Sequence, residues 1–318
     1  MSLITDNPDV LELQPRLEDS DAGVRRIALI ALADLEDPDG LPWLIAALGH
    51  DPSASVRAEA ARLLEAWEEP EVVHALCQAL TDPDNDVREG AAQSLSLLKT
   101  EASGRLLLPW ARHADPFVRA SALRALRELR LPDSAKVARQ ALSDPAADIR
   151  REAVGILGWL KHVEALPDLT LRLAEDEDGE VRRIAAGAVG FASTASVIHA
   201  LTQALSDAQW RVREEAATTL GKVGDDSAGS ALLSALRDDY WQVRLRAVRS
   251  LGRLKYRPAR KAVESLLAHG ISNLRKESAL ALGEFGDAGA LPALRLAEHD
   301  GDPEVRKAVR IALSQLQP

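Results

Sequence analysis

The chain has 318 residues, a formal net charge of −10 and a single cysteine, Cys77. The acidic balance disfavours nonspecific binding of nucleic acid by the whole molecule, and one cysteine excludes an internal disulfide. No stretch approaches the roughly 18 apolar residues of a membrane span, and residues 1–13 lack the basic and apolar regions of a signal peptide. These observations predict a cytoplasmic protein that does not enter membranes.

One short pattern returns ten times along the chain. It consists of an aliphatic residue, an arginine, a small residue three positions later and an aliphatic residue four positions beyond that. The arginines, each taken as position zero of its repeat, are 31 or 32 residues apart: Arg25, Arg57, Arg88, Arg119, Arg150, Arg182, Arg213, Arg244, Arg275 and Arg306. A fixed period in this range is typical of a solenoid, in which short units stack to bury their apolar faces.

Each copy of the pattern predicts the second helix of a helical pair, here called helix B. At about 100° per residue, positions −1, +3, +4, +6, +7 and +10 fall in one arc, and they are mostly apolar or small. A first helix, helix A, precedes each B helix, as at residues 41–48, 72–80, 197–205 and 231–236. Turns rich in Asp, Pro and Asn separate A from B. We therefore expect about twenty helices in a single solenoid over residues 1–318, with cap repeats at about 7–36 and 287–318.

An aspartate precedes the position-zero arginine by six residues in eight of the ten repeats, and His113 and His269 replace it in the other two. A charge at the edge of an apolar arc is costly unless it is paired. We interpret the recurring Asp and Arg as a structural ladder of partly buried ion pairs, not as substrate-binding groups. Its predicted members include Asp51, Arg57, Asp82, Arg88, Asp144, Arg150, Asp207, Arg213, Asp238 and Arg244.

Glycine follows the aliphatic residue at +7 in repeats five to nine, at Gly158, Gly190, Gly221, Gly252 and Gly283. Glycine weakens a helix by about 1 kcal/mol relative to alanine. Its recurrence at one register therefore indicates close approach of a neighbouring helix, or the end of the helix, and not contact with a ligand.

The full pattern, D-P-x-x-x-V-R-x-x-A-x-x-x-L-G-x-L, resembles the short bacterial HEAT-like repeat, also called the phycobilisome-lyase HEAT-like repeat. The resemblance covers essentially the whole chain. It implies an all-α fold, an α-solenoid of about ten two-helix repeats that forms a right-handed superhelix. It also implies A helices on the convex face and B helices lining a concave groove. It says little about function.

Positions −3, −2, +1, +2, +5 and +9 lie opposite the buried arc and are free to vary. Five of the eleven aromatic residues occupy them in repeats four to eight: Phe117, Trp159, Phe191, Trp210 and Trp241. Clustered aromatic residues on an exposed face are typical of binding sites. For Trp210 and Trp241 a second interpretation stays open, in which each stacks over the turn of an adjacent repeat and serves packing only.

Basic residues concentrate near the same face. Residues 237–276 contain eleven basic and three acidic residues. Within this stretch Arg246, Arg249 and Arg253 occupy +2, +5 and +9 of repeat eight, and Arg211 and Lys222 lie nearby in repeat seven. Such a groove suits an acidic protein segment, a carboxylated small molecule or a nucleic-acid backbone. The alternative is a solvated face that offsets the acidic ends of the chain.

The sequence offers no set of residues for catalysis. None of the seven histidines is followed by glutamate, so the paired His-Glu dipeptides of the HEAT-like deoxyhypusine hydroxylases are absent. One cysteine cannot build a zinc cluster, and no glycine-rich phosphate loop occurs. We expect no catalytic residue, no metal site and no cofactor.

The leading functional hypothesis is a noncatalytic scaffold that binds another protein, through an acidic segment, in the groove of repeats four to eight. A second hypothesis is a bilin-lyase-like protein that holds a tetrapyrrole, which the resemblance allows. A third is nucleic-acid binding, as in HEAT-like DNA glycosylases. The overall acidity and the lack of basic residues on most B helices count against this third hypothesis.

Overall fold

The computed structural model describes residues 5–316, and within them it contains twenty α-helices and no strand. The chain divides into two compact units, Met1–Leu160 and Lys161–Pro318. Each unit holds ten consecutive helices that form five pairs. Odd-numbered helices are the A helices of the sequence pattern and even-numbered helices are the B helices.

The helices of the first unit are α1 (Pro8–Leu17), α2 (Ala22–Ala33), α3 (Leu41–His50), α4 (Ala54–Leu63), α5 (Pro70–Ala79), α6 (Asn85–Leu95), α7 (Glu101–Leu107), α8 (Pro116–Leu129), α9 (Ser134–Ala141) and α10 (Ala147–Trp159). Those of the second unit are α11 (Leu166–Glu175), α12 (Gly179–Ala188), α13 (Ala195–Ala204), α14 (Trp210–Val223), α15 (Gly229–Ala235), α16 (Trp241–Arg253), α17 (Arg260–Ser265), α18 (Ser272–Glu284), α19 (Leu291–Leu296) and α20 (Pro303–Leu316).

Within each unit the helices stack in register. A B helix packs against the A helix of its own pair and against the B helices of adjacent pairs, as α14 does with α13, α12 and α16. The aliphatic residue at −1 is buried throughout the middle repeats, for example at Val56, Val118, Val212 and Val243. Burial of this repeated apolar stripe drives the stacking. The structure confirms the all-α solenoid class that the periodicity predicts.

Glycine lets successive B helices of the second unit approach closely. A Cβ atom on Gly221 would lie 2.8 Å from the Cα of Ser250, and one on Gly283 would lie 2.8 Å from the Cα of Ala312. Real Cβ atoms essentially never come this near to another atom. The close approach that the recurring glycine predicts is therefore present at these two positions.

The first described helix begins as its sequence predicts. The Asn7 side chain accepts a hydrogen bond from the Asp9 N–H at 3.1 Å, and Pro8 is the first helical residue. Proline suits this place because its missing N–H would have no partner there. Among residues 5–316 no helix is long and apolar enough to cross a bilayer.

Candidate functional site

Most position-zero arginines connect two repeats. Nη1 of Arg57 donates to the backbone carbonyl of Asp51 at 2.9 Å, six residues earlier in its own repeat. Its Nε and Nη2 donate to the two carboxylate oxygens of Asp82, in the next repeat, at 2.8 and 2.9 Å. Arg213 holds Asp238 in the same bidentate way at 2.6 and 3.0 Å. The paired arginine and aspartate therefore join neighbouring repeats instead of closing a single turn.

We call these bidentate pairs the Asp–Arg ladder. Its described rungs are Arg25–Asp51, Arg57–Asp82, Arg119–Asp144, Arg182–Asp207, Arg213–Asp238 and Arg275–Asp300. Their side chains are largely buried, since those of Arg213 and Asp238 are 13% and 9% exposed. Arg150 is also buried, and its Nη1 donates to the carbonyl of Asp144 at 2.9 Å.

The ladder lowers the pKa of its carboxyl groups. Burial by itself raises the pKa of Asp207, but hydrogen bonds from Arg182 and from the Gln209 N–H outweigh it. The same balance lowers the pKa of Asp51, Asp82 and Asp238. At Asp300 the hydrogen bond from Arg275 is the largest influence, and the pKa is again lowered. These aspartates are therefore charged structural groups at neutral pH.

Two position-zero arginines form no such bidentate pair, because the next repeat carries histidine where the others carry aspartate. Arg88 reaches past His113 to Asp115, with Nη2 at 2.8 Å from the carboxylate. Arg244 instead has Nη2 at 3.2 Å from Nε2 of His269. The Nε atoms of Arg88 and Arg244 are buried and have no hydrogen-bond partner among the described residues.

The predicted aromatic residues fall in both units. In the first unit Trp159 is 57% exposed, and the Arg130 guanidinium lies 4.2 Å from the centre of its ring. Phe117 is half-buried, with the Arg88 guanidinium at 4.4 Å. Both rings therefore lie under an arginine of the preceding repeat, within the range of a cation–π interaction.

In the second unit Phe191, Trp210 and Trp241 are all half-buried. Trp210 stacks on Tyr240, with ring centres 5.4 Å apart and an angle of 11° between the planes. Tyr240 precedes α16, so Trp210 does lie over the turn of the adjacent repeat. The exposed member of the pair is Tyr240, at 45%. The sequence interpretation missed it because position −4 was not among the positions assigned to the outer face.

The arginines of α16 are only partly free. Nε of Arg246 lies 3.0 Å from Glu214 of the preceding repeat, and Nε of Arg249 lies 3.6 Å from Glu277 of the following one. Arg253, at the end of the helix, is exposed and forms no hydrogen bond or ion pair with a described residue. A charge count confined to residues 237–276 leaves out both glutamates. The face of α16 that carries Arg246, Arg249 and Arg253 is therefore less cationic than that count predicts.

Arg211 and Lys222 lie at opposite ends of α14 and are both exposed. The Arg211 guanidinium is 5.5 Å from the centre of the Trp210 ring. No carboxylate of a described residue lies within ion-pair distance of either side chain. Lys222 and Arg253 both occupy +9, on the adjacent helices α14 and α16.

One acidic group borders these cations. The pKa of Glu284 is raised, chiefly by burial and also by the charge of Glu277. Arg253, Arg249 and Lys255 act in the opposite direction. Glu284 therefore lies within the electrostatic reach of the cationic end of α16 without forming an ion pair with it at close range.

Other reactive groups offer little chemistry. Cys77 is buried, and burial raises the pKa of its thiol to about 12, so the nucleophilic thiolate is scarce at neutral pH. Over residues 5–316 no three His, Cys, Asp or Glu side chains lie close enough together to hold a metal ion.

Comparison with known proteins agrees with this architecture. The deoxyhypusine hydroxylase of Rattus norvegicus is 29% identical over 231 residues, which are 64% of this chain and 76% of that protein. The structure of an engineered protein is 20% identical with a TM-score of 0.58, and the match covers 98% of this chain and all of that one. Kap95p, in a structure with RanGDP, is 13% identical with a TM-score of 0.67, and the match covers 96% of this chain and half of Kap95p. At these identities the two structural matches show the fold alone.

A model of HEAT repeats matches residues 10–96, 41–113, 104–190, 167–241 and 229–314. The period, the helical pairs and the arginine that connects adjacent repeats are all features of these matched segments. Because together they run from residue 10 to residue 314, the chain belongs to the HEAT-repeat family.

Proposed function

We propose that this protein is a noncatalytic binding scaffold, and that the B-helix face of its second unit holds an acidic segment of another protein. The observation that carries the proposal is the presence of three exposed cations without an ion-pair partner on α14 and α16, one of which, Arg211, lies beside a stacked aromatic pair. The cations are Arg211, Lys222 and Arg253, and the pair is Trp210 with Tyr240.

Unpaired cations favour a carboxylate partner on electrostatic grounds. Lys222 and Arg253 share the +9 register on helices that pack against each other, so they form a local positive end on this face. A partner carboxylate placed there gains charge-assisted hydrogen bonds without breaking an existing ion pair. By contrast, a partner that contacts Arg246 or Arg249 displaces Glu214 or Glu277. We therefore assign the main electrostatic contribution to Arg211, Lys222 and Arg253.

The aromatic pair supplies apolar contact area next to Arg211, at the end of α14 opposite Lys222. Tyr240 is 45% exposed, and Trp210 holds its ring in place by stacking. Tyr and Trp are enriched among the residues that dominate binding energies, because they offer a large, rigid surface. Trp241 follows Tyr240 in the chain and is half-buried, and Phe191, also half-buried, shares the +9 position with Lys222 and Arg253. In the first unit Phe117 and Trp159 are two further candidate contacts.

Comparison with relatives supports the binding role only in general terms. Kap95p binds RanGDP according to the structure to which this chain is similar, so a protein of this fold can bind another protein. The similarity to a deoxyhypusine hydroxylase is the competing indication, because that relative is an enzyme. The His-Glu dipeptides expected of such hydroxylases do not occur in this sequence, which favours the noncatalytic proposal.

A fluorescence anisotropy titration with a labelled glutamate-rich peptide tests the proposal. Simultaneous Arg211→Glu, Lys222→Glu and Arg253→Glu substitutions should weaken binding at least about tenfold, because three attractive charges become repulsive. A lysine-rich peptide of equal length should not bind. Affinity for the acidic peptide should also fall as ionic strength rises.

The matched control reverses three exposed cations of the first unit, Arg16, Lys99 and Lys136. It changes the net charge by the same amount but leaves the proposed face intact. If both triple variants weaken peptide binding equally, the effect is one of net charge and the proposed site is wrong.

A further inference from the structure

The first two helical pairs of unit 1 line an open pocket of about 430 Å³. It lies between α1, α2, α3 and α4, near the turns that connect A to B. Its floor is apolar and consists of Leu17, Leu29, Trp43, Ala46, Ala47 and Val56. Pockets of this size hold small organic molecules in other proteins.

The pocket lies in the cleft between the A helices of adjacent repeats. A cleft of about 420 Å³ occurs at the corresponding place between repeats seven and eight, where Thr202 and Ser234 line it. The pocket of the first unit differs in its lining, because Ala46 and Ala47 stand at positions −11 and −10 of the second repeat and no other repeat has alanine at both.

The polar lining of the pocket contains three carboxylates, of Glu18, Asp19 and Asp51, against one arginine, Arg25, and it also includes His50. Asp51 is neutralised by Arg25, whose Nε and Nη2 both lie 2.7 Å from its carboxylate oxygens. Asp19 occupies the same −6 position in the first repeat, but its carboxylate forms no ion pair with an arginine among residues 5–316. Its carboxylate accepts one hydrogen bond, from the Asp21 N–H at 2.7 Å. Glu18, also at the rim, is exposed and accepts only from the Gln14 side chain at 3.2 Å.

The same carboxylates act on the neighbouring ladder residue. The pKa of Arg25 is raised first by its hydrogen bond with Asp51, and then by the charges of Asp51, Asp19 and Asp21. Asp19 thus shares Arg25 with Asp51 without an ion pair of its own, and Glu18 forms no ion pair with a described residue. A cation that enters the pocket is attracted, and a carboxylate is repelled.

We infer that this pocket binds a small organic cation, an ammonium group on an aromatic or aliphatic stem. The stem packs on the floor against Trp43 and the two alanines. The ammonium group lies at the rim between Asp19 and Glu18. This site lies in the other unit from the proposed acidic-segment site, so either proposal can fail without the other.

Isothermal titration calorimetry of the full chain with 2-phenylethylammonium tests the inference. The matched anion is 3-phenylpropionate, which has a similar stem and the opposite charge. We expect the ammonium compound to bind and the carboxylate to bind at least about tenfold more weakly.

Two variants separate the apolar from the electrostatic contribution. Ala47→Leu fills the pocket and should abolish binding, while Asp19→Asn should weaken it about tenfold and leaves the core untouched. Asp86→Asn, at an exposed position on α6, is the charge-matched control and should leave the affinity unchanged. The inference is overturned if the wild type gives no heat with the ammonium compound, if it binds the anion equally well, or if Asp19→Asn binds as the wild type does.

Discussion

At the scale of single residues, His269 stands where most other repeats have the aspartate that joins adjacent repeats. In an Asp–Arg rung the carboxylate accepts from the arginine and also from a backbone N–H two residues on, as Asp300 does from Arg275 and the Asp302 N–H. His269 faces the same two donors, with Nδ1 at 3.1 Å from the Ile271 nitrogen and Nε2 at 3.2 Å from Arg244. A neutral imidazole has only one nitrogen free to accept, so one donor is left without an acceptor.

His269→Asp should therefore stabilise the protein, by about 1–2 kcal/mol, because a carboxylate accepts from both donors and neutralises Arg244. Urea unfolding followed by circular dichroism gives the change in midpoint. His113→Asp is the control, since Asp115 already supplies a carboxylate to Arg88 and the gain should be smaller. A His269→Asp midpoint at or below that of the wild type would show that Arg244 does not need a carboxylate.

At the scale of helices, two opposing effects decide the identity of residue 221. Alanine is the better helix former by about 1 kcal/mol, yet a methyl group at this point in α14 collides with the backbone of α16. Gly221→Ala should therefore destabilise the protein by about 1–3 kcal/mol, because the two helices must separate to admit the methyl group. Thermal unfolding measures the loss.

Gly187→Ala gives the matched comparison on the neighbouring helix α12. Its new Cβ atom would meet only the end of the Glu215 side chain, at 3.1 Å, and the position is exposed. Without a backbone collision the gain in helix propensity should dominate, so the melting temperature should stay level or rise. Equal losses in both variants would mean that helix contact does not explain the recurring glycine.

The sequence predicts the helical features that repeat at a fixed spacing, and it does not predict those that lack a common residue type. The buried stripe repeats at a fixed spacing, so the existence and order of the A and B helices follow from periodicity. The turns that end the B helices do not. Glu36, Arg130, Lys161 and Lys255 all adopt a left-handed conformation at position +11, where Gly224 and Gly286 do so in other repeats. Charged residues of three types and of both signs at one position give no common signal, although their backbone geometry is the same.

At the scale of the whole molecule, the candidate sites were harder to predict than the fold because they depend on neighbours that are distant in sequence. Glu214 and Glu277 meet Arg246 and Arg249 only after the helices stack, which a count along the chain does not include. The pocket of the first unit likewise forms only when side chains from α1 to α4 come together in the folded chain.

The ladder makes the stability of the whole chain depend on pH. The folded protein lowers the pKa of Asp51, Asp82, Asp207, Asp238 and Asp300 below that of the unfolded chain, which is about 3.9. Each of these carboxylates then contributes stability that is fully present above the unfolded-state pKa. That contribution is lost as the pH falls through the lower, folded-state pKa. The urea midpoint should therefore drop steeply between about pH 5 and pH 2.

Asp207→Asn should make the drop in the urea midpoint smaller, because asparagine does not titrate and the variant has one fewer carboxylate whose stabilising contribution is lost in acid. At pH 7 the variant should be less stable than the wild type by about 2–4 kcal/mol, since Arg182 loses its carboxylate while remaining largely buried. As the pH falls the two proteins should converge, because the wild-type aspartate becomes neutral as well. Asp226→Asn, at an exposed position outside the ladder, should run parallel to the wild type throughout. Curves for Asp207→Asn and the wild type that stay equally far apart from pH 7 to pH 2 would mean that the ladder does not set the acid limit of this protein.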